Sequence, residues 1–285
     1  MRSDLILQNI HIAKFTTMEV GGTVEFYSRP QNIKELKYIV KWAYDSGIDV
    51  FVIGGGSDII FGDGHHRLIV VDMRSFKGIS LNERAVRAMS GAVLNRVIQI
   101  AAKEKLSGLE ELYGIPGTVG GAVRKNAGAF GKEIKDVLIS AKILNVDGEI
   151  LEYEVKDLGL KYRESDFDGI LVEAVFLLQK ADSHSIMGKM KEIIEKRRNS
   201  QPRGKTSGCI FKNPENGPPA GFLLDKSGLK GFRIGQAKFS EIHANFIVNM
   251  GGAKAEDVFN LIEVGKKRVF ENFGIKLEEE VVILR

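Results

Sequence analysis

The chain has 285 residues, 44% of them hydrophobic and 27% charged, with a formal net charge of +4. That length exceeds the usual size of one core, so the composition points to a soluble globular protein of two or three domains or subdomains. The charge is too diffuse for a nucleic-acid footprint, the apolar runs are too short to span a membrane, and the single cysteine, Cys209, excludes an intrachain disulfide and a thiolate zinc site.

The weak positive balance suits an anionic small substrate. The opening segment places Asp4 ahead of any apolar core and has no cleavage site, so a cytoplasmic location without membrane insertion is expected. In chain order, alternation in Phe15–Pro30 (FTTMEVGGTVEFYSRP) predicts a strand after a Gly-Gly turn. Asn32 and Glu35 form a capping-box pattern that opens a helix. Its apolar face is Ile33, Leu36, Ile39, Val40 and Ala43, and Gly47 ends it. Asp49–Ile53 reads as a short buried strand running directly into GGGSD at 54–58, followed by the apolar Ile59–Phe61, and Leu68–Asp72 reads as another strand. Ala85–Ser90 predicts a strand, and Val93–Lys105 an amphipathic helix burying Leu94, Val97, Ile98, Ala101 and Ala102. Val137–Val155 predicts a hairpin turning at Asp147-Gly148, and Ile170–Gln179 a further strand. Strands predominate without regular β-α-β alternation, so the fold class is α+β.

From Ala181 the texture changes. A basic helix to Ser200 leads into QPRGKTSGCIFKNPENGPPAG, which holds four of the chain's six prolines and reads as a rigid active loop. Gly204-Lys205-Thr206 imitates the end of a Walker A loop. Asn199 stands where its first glycine belongs and the preceding segment is helical, which argues against an NTPase. A short helix at Ala220–Ser227 closed by Gly228, a strand at Asn245–Asn249, a helix at Ala255–Asn272 and a strand at Lys276–Leu284 complete a C-terminal domain.

The segment Leu109–Gly131 (LEELYGIPGTVGGAVRKNAGAFG) stands apart. Glycines 114, 117, 120, 121, 128 and 131 are interspersed with small Thr118, Ala122, Ala127 and Ala129, so bare backbone N–H groups suit something bulky and anionic. A cradle for a dinucleotide pyrophosphate is one reading. A Gly-rich surface loop is the other, weakened by Ile115, Val119 and Val123, which recur every fourth residue as packed positions do. Gly54–Asp58 is a second such loop. Ile59 occupies the place of a Rossmann fingerprint's third glycine and no long helical pattern follows, so it is not of that type. Two cradles make a stronger case together than either alone.

These segments, with others in fixed order, resemble the UDP-N-acetylenolpyruvoylglucosamine reductase family. The matching stretches are TTMEVGGTVEF, GGGSD, GIPGTVGGAVRKNAGAFGKEI, YRESDF, GCIFKNP, AGFLLDKSGLKGFRIGQAKFSEIHANFIVN and the terminal LEEEV, spread over nearly the whole chain. The resemblance implies an FAD-binding module of the vanillyl-alcohol-oxidase (PCMH) type in two subdomains, residues 1–72 and 73–180, plus an α+β C-terminal substrate-binding domain, residues 181–285. It implies a flavoenzyme with non-covalent FAD, reduced by NADPH, that converts UDP-N-acetylglucosamine enolpyruvate to UDP-N-acetylmuramate in peptidoglycan synthesis. The segment after Phe167 runs straight into the next strand, which implies the subclass without an inserted substrate-capping loop. Oligomeric state is left open.

On the matching positions, FAD contacts fall on Gly54, Gly55, Gly56, Ser57 and Asp58, on Gly114, Pro116, Gly117, Thr118, Gly120 and Gly121, and on Asn126, Ala127 and Gly128. Asp58 departs from the family's usual asparagine. A carboxylate facing a pyrophosphate is unfavourable, so Asp58 is expected to shape its loop by accepting backbone N–H bonds. Hydride addition to the enolpyruvyl group leaves an enolate that needs a cation or donor, and then an acid. The family places these roles on positions matching Arg163, Glu280 and Cys209. Serine is usual where Cys209 stands; a thiol of pKa about 8.5 stays protonated near neutral pH and is the better proton donor. Tyr162, Lys212 and Asn213 carry over as substrate ligands.

Read without the family, Cys209 is a small buried hydrophobe, Arg163 a surface partner of Glu164 or Asp166, and Glu278–Glu280 a solvated run. On a strand, Glu278 and Glu280 share one face. His243 reads as a packed, hydrogen-bonded histidine. His65-His66 reads as an exposed pair without the further ligands a metal needs, so no metal site is expected. Two other classes stay open. A different FAD oxidase of this fold often holds its flavin through a histidine, and the cradles contain none. A non-catalytic flavin-binding protein need not keep Arg163, Cys209 and Glu280 in these contexts.

Overall fold

The computed structural model describes residues 5–285, and Asp4 lies outside the described residues. The chain divides into two compact units. The first holds the described residues to Gln8, Glu25–Gly55 and Arg67–Arg197; the second holds Asn9–Val24, Gly56–His66 and Arg198–Arg285.

The first unit is built around a five-stranded antiparallel sheet in the order Ile150–Glu154, Leu138–Leu144, Ile170–Leu177, Ala85–Met89, Ile79–Asn82. Its central strand feeds two cores: Leu171, Ala174 and Phe176 join the cluster over helix α2 (Leu94–Lys103), whereas Ile170 and Val172 join the cluster under α1 (Ile33–Asp45). α1 forms because Leu36, Ile39 and Ala43 fall on one face and the Asn32 side chain accepts the Glu35 N–H at 3.0 Å. Gly47 at φ +63° releases the chain into strand Asp49–Ile53, which pairs in parallel with Leu68–Asp72 and sets Ile53 opposite Asp72. The Gly-rich segment contains a short helix, α3 (Val119–Arg124), with Val119 and Val123 fully buried. A long helix, α4 (Ser183–Ser200), follows the sheet.

The second unit has its own core. Helices α5 (Ala220–Lys226) and α6 (Ala255–Phe273) pack with a three-stranded antiparallel sheet, Arg233–Ile234, Ala237–Phe239 and Ile247–Asn249. α6 starts where the Asp63 carboxylate accepts the Ala255 and Glu256 N–H groups at 3.0 and 3.1 Å, and ends at Gly274 with φ +67°. Ile59–Phe61 pairs in parallel with Val282–Leu284.

Several expectations need correction. The strand expected over Lys276–Leu284 is regular only at Val282–Leu284; Glu278 to Val281 is held by separate bonds to residues 210–212, including Lys212 N–H to Glu278 O at 2.9 Å. The hairpin turns through five residues, closed by Asn145 N–H to Glu149 O, because Gly148 alone takes a left-handed φ (+80°) and a two-residue type I′ turn needs two. His66 is not exposed: it is 8% accessible, with Nε2 3.0 Å from Gly62 O, because strand alternation turns it inward beside Phe61. Among the described residues, no helix is long and apolar enough to cross a membrane.

Asp72 anchors the strand opposite Ile53. Its fully buried carboxylate accepts the Tyr27 hydroxyl at 2.6 Å and a forked pair of bonds from Arg74. Burial by itself pushes this carboxyl up, but the hydrogen bonds from Arg74 and Tyr27 outweigh it and hold the pKa below the ordinary range. A depressed folded-state pKa contributes stability that is present above the unfolded value and lost as pH falls through the folded one. We therefore expect Asp72→Asn to destabilise the protein by about 3 kcal/mol in urea unfolding at neutral pH. The gap from the parent should narrow as the parent is taken below about pH 4.

Candidate active site

In the first unit the two glycine loops meet backbone to backbone. A Cβ on Gly55 would lie 2.8 Å from Gly117 Cα, and one on Gly54 would lie 2.1 Å from Thr118 Oγ1. Side chains are excluded there by the opposite loop itself. Thr118 is 3% exposed and its Oγ1 finds no hydrogen-bond partner among the described residues; Ser90, whose carbonyl accepts the Gly120 N–H at 2.7 Å, has an equally unpartnered Oγ. Orphaned buried hydroxyls cost about 1–3 kcal/mol each, so the loops favour a polar ligand that satisfies them. Gly121, on the exposed side of α3, has open space where its Cβ would be.

Not every predicted cradle residue faces that space. Gly114 is covered by α4, since its Cβ would meet Arg197 Cδ at 2.7 Å, and Arg197 Nε donates to Tyr113 O at 3.0 Å. Asn126 is fully buried: Nδ2 donates to Lys161 O at 2.9 Å and to Glu133 Oε2 at 3.0 Å, and Oδ1 accepts the Lys135 N–H at 3.0 Å. Gly128 touches Arg163, whose Nη2 donates to the Gly128 carbonyl at 2.8 Å. Arg163 occupies a tight turn closed by Lys161 N–H to Glu164 O at 3.0 Å, at φ +59°, with its guanidinium 4.9 Å from the Tyr162 ring centroid. The structure thus gathers Tyr162, Arg163, Asn126 and Gly128 at one place in the first unit.

The second unit gathers the other predicted group. Cys209 bridges Phe246 in antiparallel fashion, Ile210 N–H donates to Asn245 O at 2.8 Å, and Glu280 N–H donates to Ile210 O at 2.8 Å. The chain at Glu280 is therefore bonded to the chain one residue from Cys209. Glu279 pairs with Lys266, and the Glu278 carboxylate is 79% exposed with Lys212 Nζ 4.0 Å away. Of the three glutamates, Glu280 combines partial burial with this direct backbone link. Asn213 Oδ1 accepts the Ala220 N–H at 3.0 Å and so caps α5, while the Asp58 carbonyl accepts from Val282 N–H at 3.1 Å. His243 is packed as expected, its Nδ1 accepting the Asn245 N–H at 3.2 Å, and burial first and Lys230 second push its pKa down, which keeps the ring neutral.

Sequence reasoning missed the residues that hold these groups. The buried Asn245 side chain accepts the Phe211 N–H at 2.9 Å and donates to the Phe211 carbonyl at 2.8 Å, standing in for a strand partner beside Cys209. Thr17 donates its hydroxyl to Thr206 O at 2.7 Å and its N–H to Gly56 O at 2.9 Å, tying the GGGSD loop to the segment leading into Cys209. Glu133 fixes Asn126. Each is a polar residue in a segment already quoted, but nothing in spacing separates a brace from a ligand.

Residues 200–284 match the sequence model of the UDP-N-acetylenolpyruvoylglucosamine reductase C-terminal domain, and residues 24–154 that of an FAD binding domain. The UDP-N-acetylenolpyruvoylglucosamine reductase of Aquifex aeolicus is 41% identical over 98% of this chain and 95% of its own length. The chain belongs to the UDP-N-acetylenolpyruvoylglucosamine reductase family. A crystal structure of the Thermus caldophilus reductase superposes with a TM-score of 0.85 at 34% identity, covering 98% of both chains. At 15% identity Phl p 4, in a variant described as a glucose oxidase, shares the fold alone, with a TM-score of 0.50 over 74% of this chain and 50% of its own. The fold is thus the expected one, an FAD-binding domain joined to the reductase-type C-terminal domain.

The cradle fits that cofactor class: bare backbone on two abutting loops, with orphaned hydroxyls at Thr118 and Ser90, suits the phosphates and polar ring edge of a dinucleotide. Because Gly55 opposes backbone, which cannot rotate away, we expect Gly55→Ala to force the loops apart at about 1–3 kcal/mol. Purified Gly55→Ala protein should carry much less flavin per polypeptide in its visible spectrum than the parent.

Proposed function

We propose that this protein is an FAD-dependent oxidoreductase that uses NADPH to reduce UDP-N-acetylglucosamine enolpyruvate to UDP-N-acetylmuramate for peptidoglycan synthesis. The observation that carries the reading is similarity to reductases of that name along nearly the whole chain, through both the FAD-binding and the C-terminal domains. When bound at the glycine loops, FAD supplies two-electron chemistry linking the nicotinamide and the substrate. We assign Gly54, Gly55, Gly117, Thr118 and Gly121 to that cradle and give residues 181–285 the substrate-binding role. The absence of an inserted stretch between Phe167 and the strand starting at Ile170 supports the short-loop subclass.

The chain's own groups then have separate tasks. Net reduction adds a hydride to the terminal CH2 of the enolpyruvyl group, which becomes the methyl, and a proton to the carbon beside the carboxylate, which becomes the methine, with NADPH oxidised to NADP⁺. Arg163 meets the negative charge that develops on the substrate carboxylate as the enolate forms, and Glu280 is assigned to the same acid–base step. Cys209 delivers the proton from Sγ and is reprotonated from solvent. Its partial burial in a segment pinned by Ile210 and Phe211 restricts the thiol to few positions. Lys212, whose side chain is 18% exposed, holds an anionic part of the substrate.

The test is anaerobic spectroscopy in two steps. Flavin bands should bleach with NADPH and return on adding UDP-N-acetylglucosamine enolpyruvate; bleaching without return overturns the substrate assignment. Cys209→Ala should keep the bleaching step and lose turnover by about 100-fold or more, whereas Cys209→Ser should retain measurable turnover. Full turnover in Cys209→Ala would remove the thiol from the mechanism.

A further inference from the structure

We propose that Asn126 is a positioning residue that sets Arg163: it locks the Tyr162–Arg163 turn onto the hairpin Gly128–Glu133. The inference rests on the reading of Arg163 given above.

The backbone of the arginine turn is held from one side. The Lys161 carbonyl accepts Asn126 Nδ2 at 2.9 Å, and the second hydrogen of that amide goes to Glu133 Oε2 at 3.0 Å. Both amide donors are therefore committed within the protein, and Asn126 has a φ of +40°, a left-handed conformation that asparagine accepts more readily than most residues. Glu133 is itself fixed, by the Asp136 N–H and by Lys135 Nζ at 2.8 Å, and it stands opposite Gly128 in the hairpin register.

The guanidinium is held from the other side. Gly128 presents its carbonyl to Arg163 Nη2 at 2.8 Å, and a Cβ at Gly128 would stand 2.8 Å from Glu133 Cγ and 3.1 Å from Arg163 Nη1, so only glycine admits the arginine this close. One small assembly thus fixes both ends of Arg163. Arg163 also sits at φ +59°, a conformation that persists in a non-glycine residue when its surroundings over-determine it. The Asn126 side chain bonds both the turn, at Lys161, and the hairpin, at Glu133.

Two substitutions separate the amide from the backbone it sits on. Asn126→Asp keeps the shape and the acceptor for Lys135 but turns an oxygen toward two other acceptors. Asn126→Gly keeps the left-handed backbone and deletes the amide. Anaerobic stopped-flow absorbance follows flavin bleaching by NADPH and its return with UDP-N-acetylglucosamine enolpyruvate, alongside flavin content and thermal midpoint. Both variants should hold flavin and bleach within about threefold of the parent, while the return slows about 100-fold, the scale of a misplaced catalytic group.

Arg163→Ala, measured in parallel, keeps the two readings apart. A slow return in Arg163→Ala with a parental return in both Asn126 variants overturns the positioning role and leaves Arg163 standing. A parental return in Arg163→Ala overturns the role of Arg163, and this inference with it. Loss of flavin, or equal slowing of both phases in the Asn126 variants, would make Asn126 a cofactor or folding residue and also overturns the proposal.

Discussion

The contact on which the proposed cofactor site depends is between the bare backbone of Gly54–Gly55 and that of Gly117, with the Thr118 side chain beside it. Close-packed interiors leave no slack for a methyl group at such a contact, so the loops define their shape by mutual exclusion. What delivers them is ordinary secondary structure. Ile53 ends a strand held in parallel register with Leu68–Asp72, and Asp72 is pinned by Tyr27 and Arg74 just opposite. The hydroxyls left over at Thr118 and Ser90 are the remaining imbalance, and they mark the side from which a polar ligand completes the structure.

Around Arg163 the same economy appears in a different form. Rather than lying on a regular strand or helix, the arginine sits at a left-handed position of a tight turn, with its backbone and head group tied to neighbouring loops. Strain of this kind costs about 1–3 kcal/mol and is kept where geometry matters more than stability. The fully satisfied Asn126 amide and the bare Gly128 share the work of holding it.

In the second unit Cys209 and Glu280 are placed by irregular, bridge-like pairings instead of a full sheet. The Asn245 side chain supplies the two hydrogen bonds to Phe211 that a neighbouring strand would make, which leaves the Cys209 segment rigid without burying it in a ladder. Cys209 stays only partly buried on this non-sheet segment.

Much of this was readable from the residues in order. Helices α1, α2 and α6 follow from apolar positions repeating at helical spacing, the hairpin and central strand of the first unit from alternation, and the glycine loops from runs that nothing else explains. The motif series determined the family, because local residue types in fixed order are written directly in the chain. Tertiary structure alone decided which glycines face open space and which are covered: Gly114 lies under Arg197, whereas Gly121 has open space where its Cβ would be. It also decided that Asn126 braces Arg163 and that Asn245 replaces a strand. These outcomes depend on partners distant in sequence, such as Lys161, 35 positions from Asn126, and Phe211, 34 positions from Asn245, and a side chain's partner at that separation is set by packing, which no local pattern encodes.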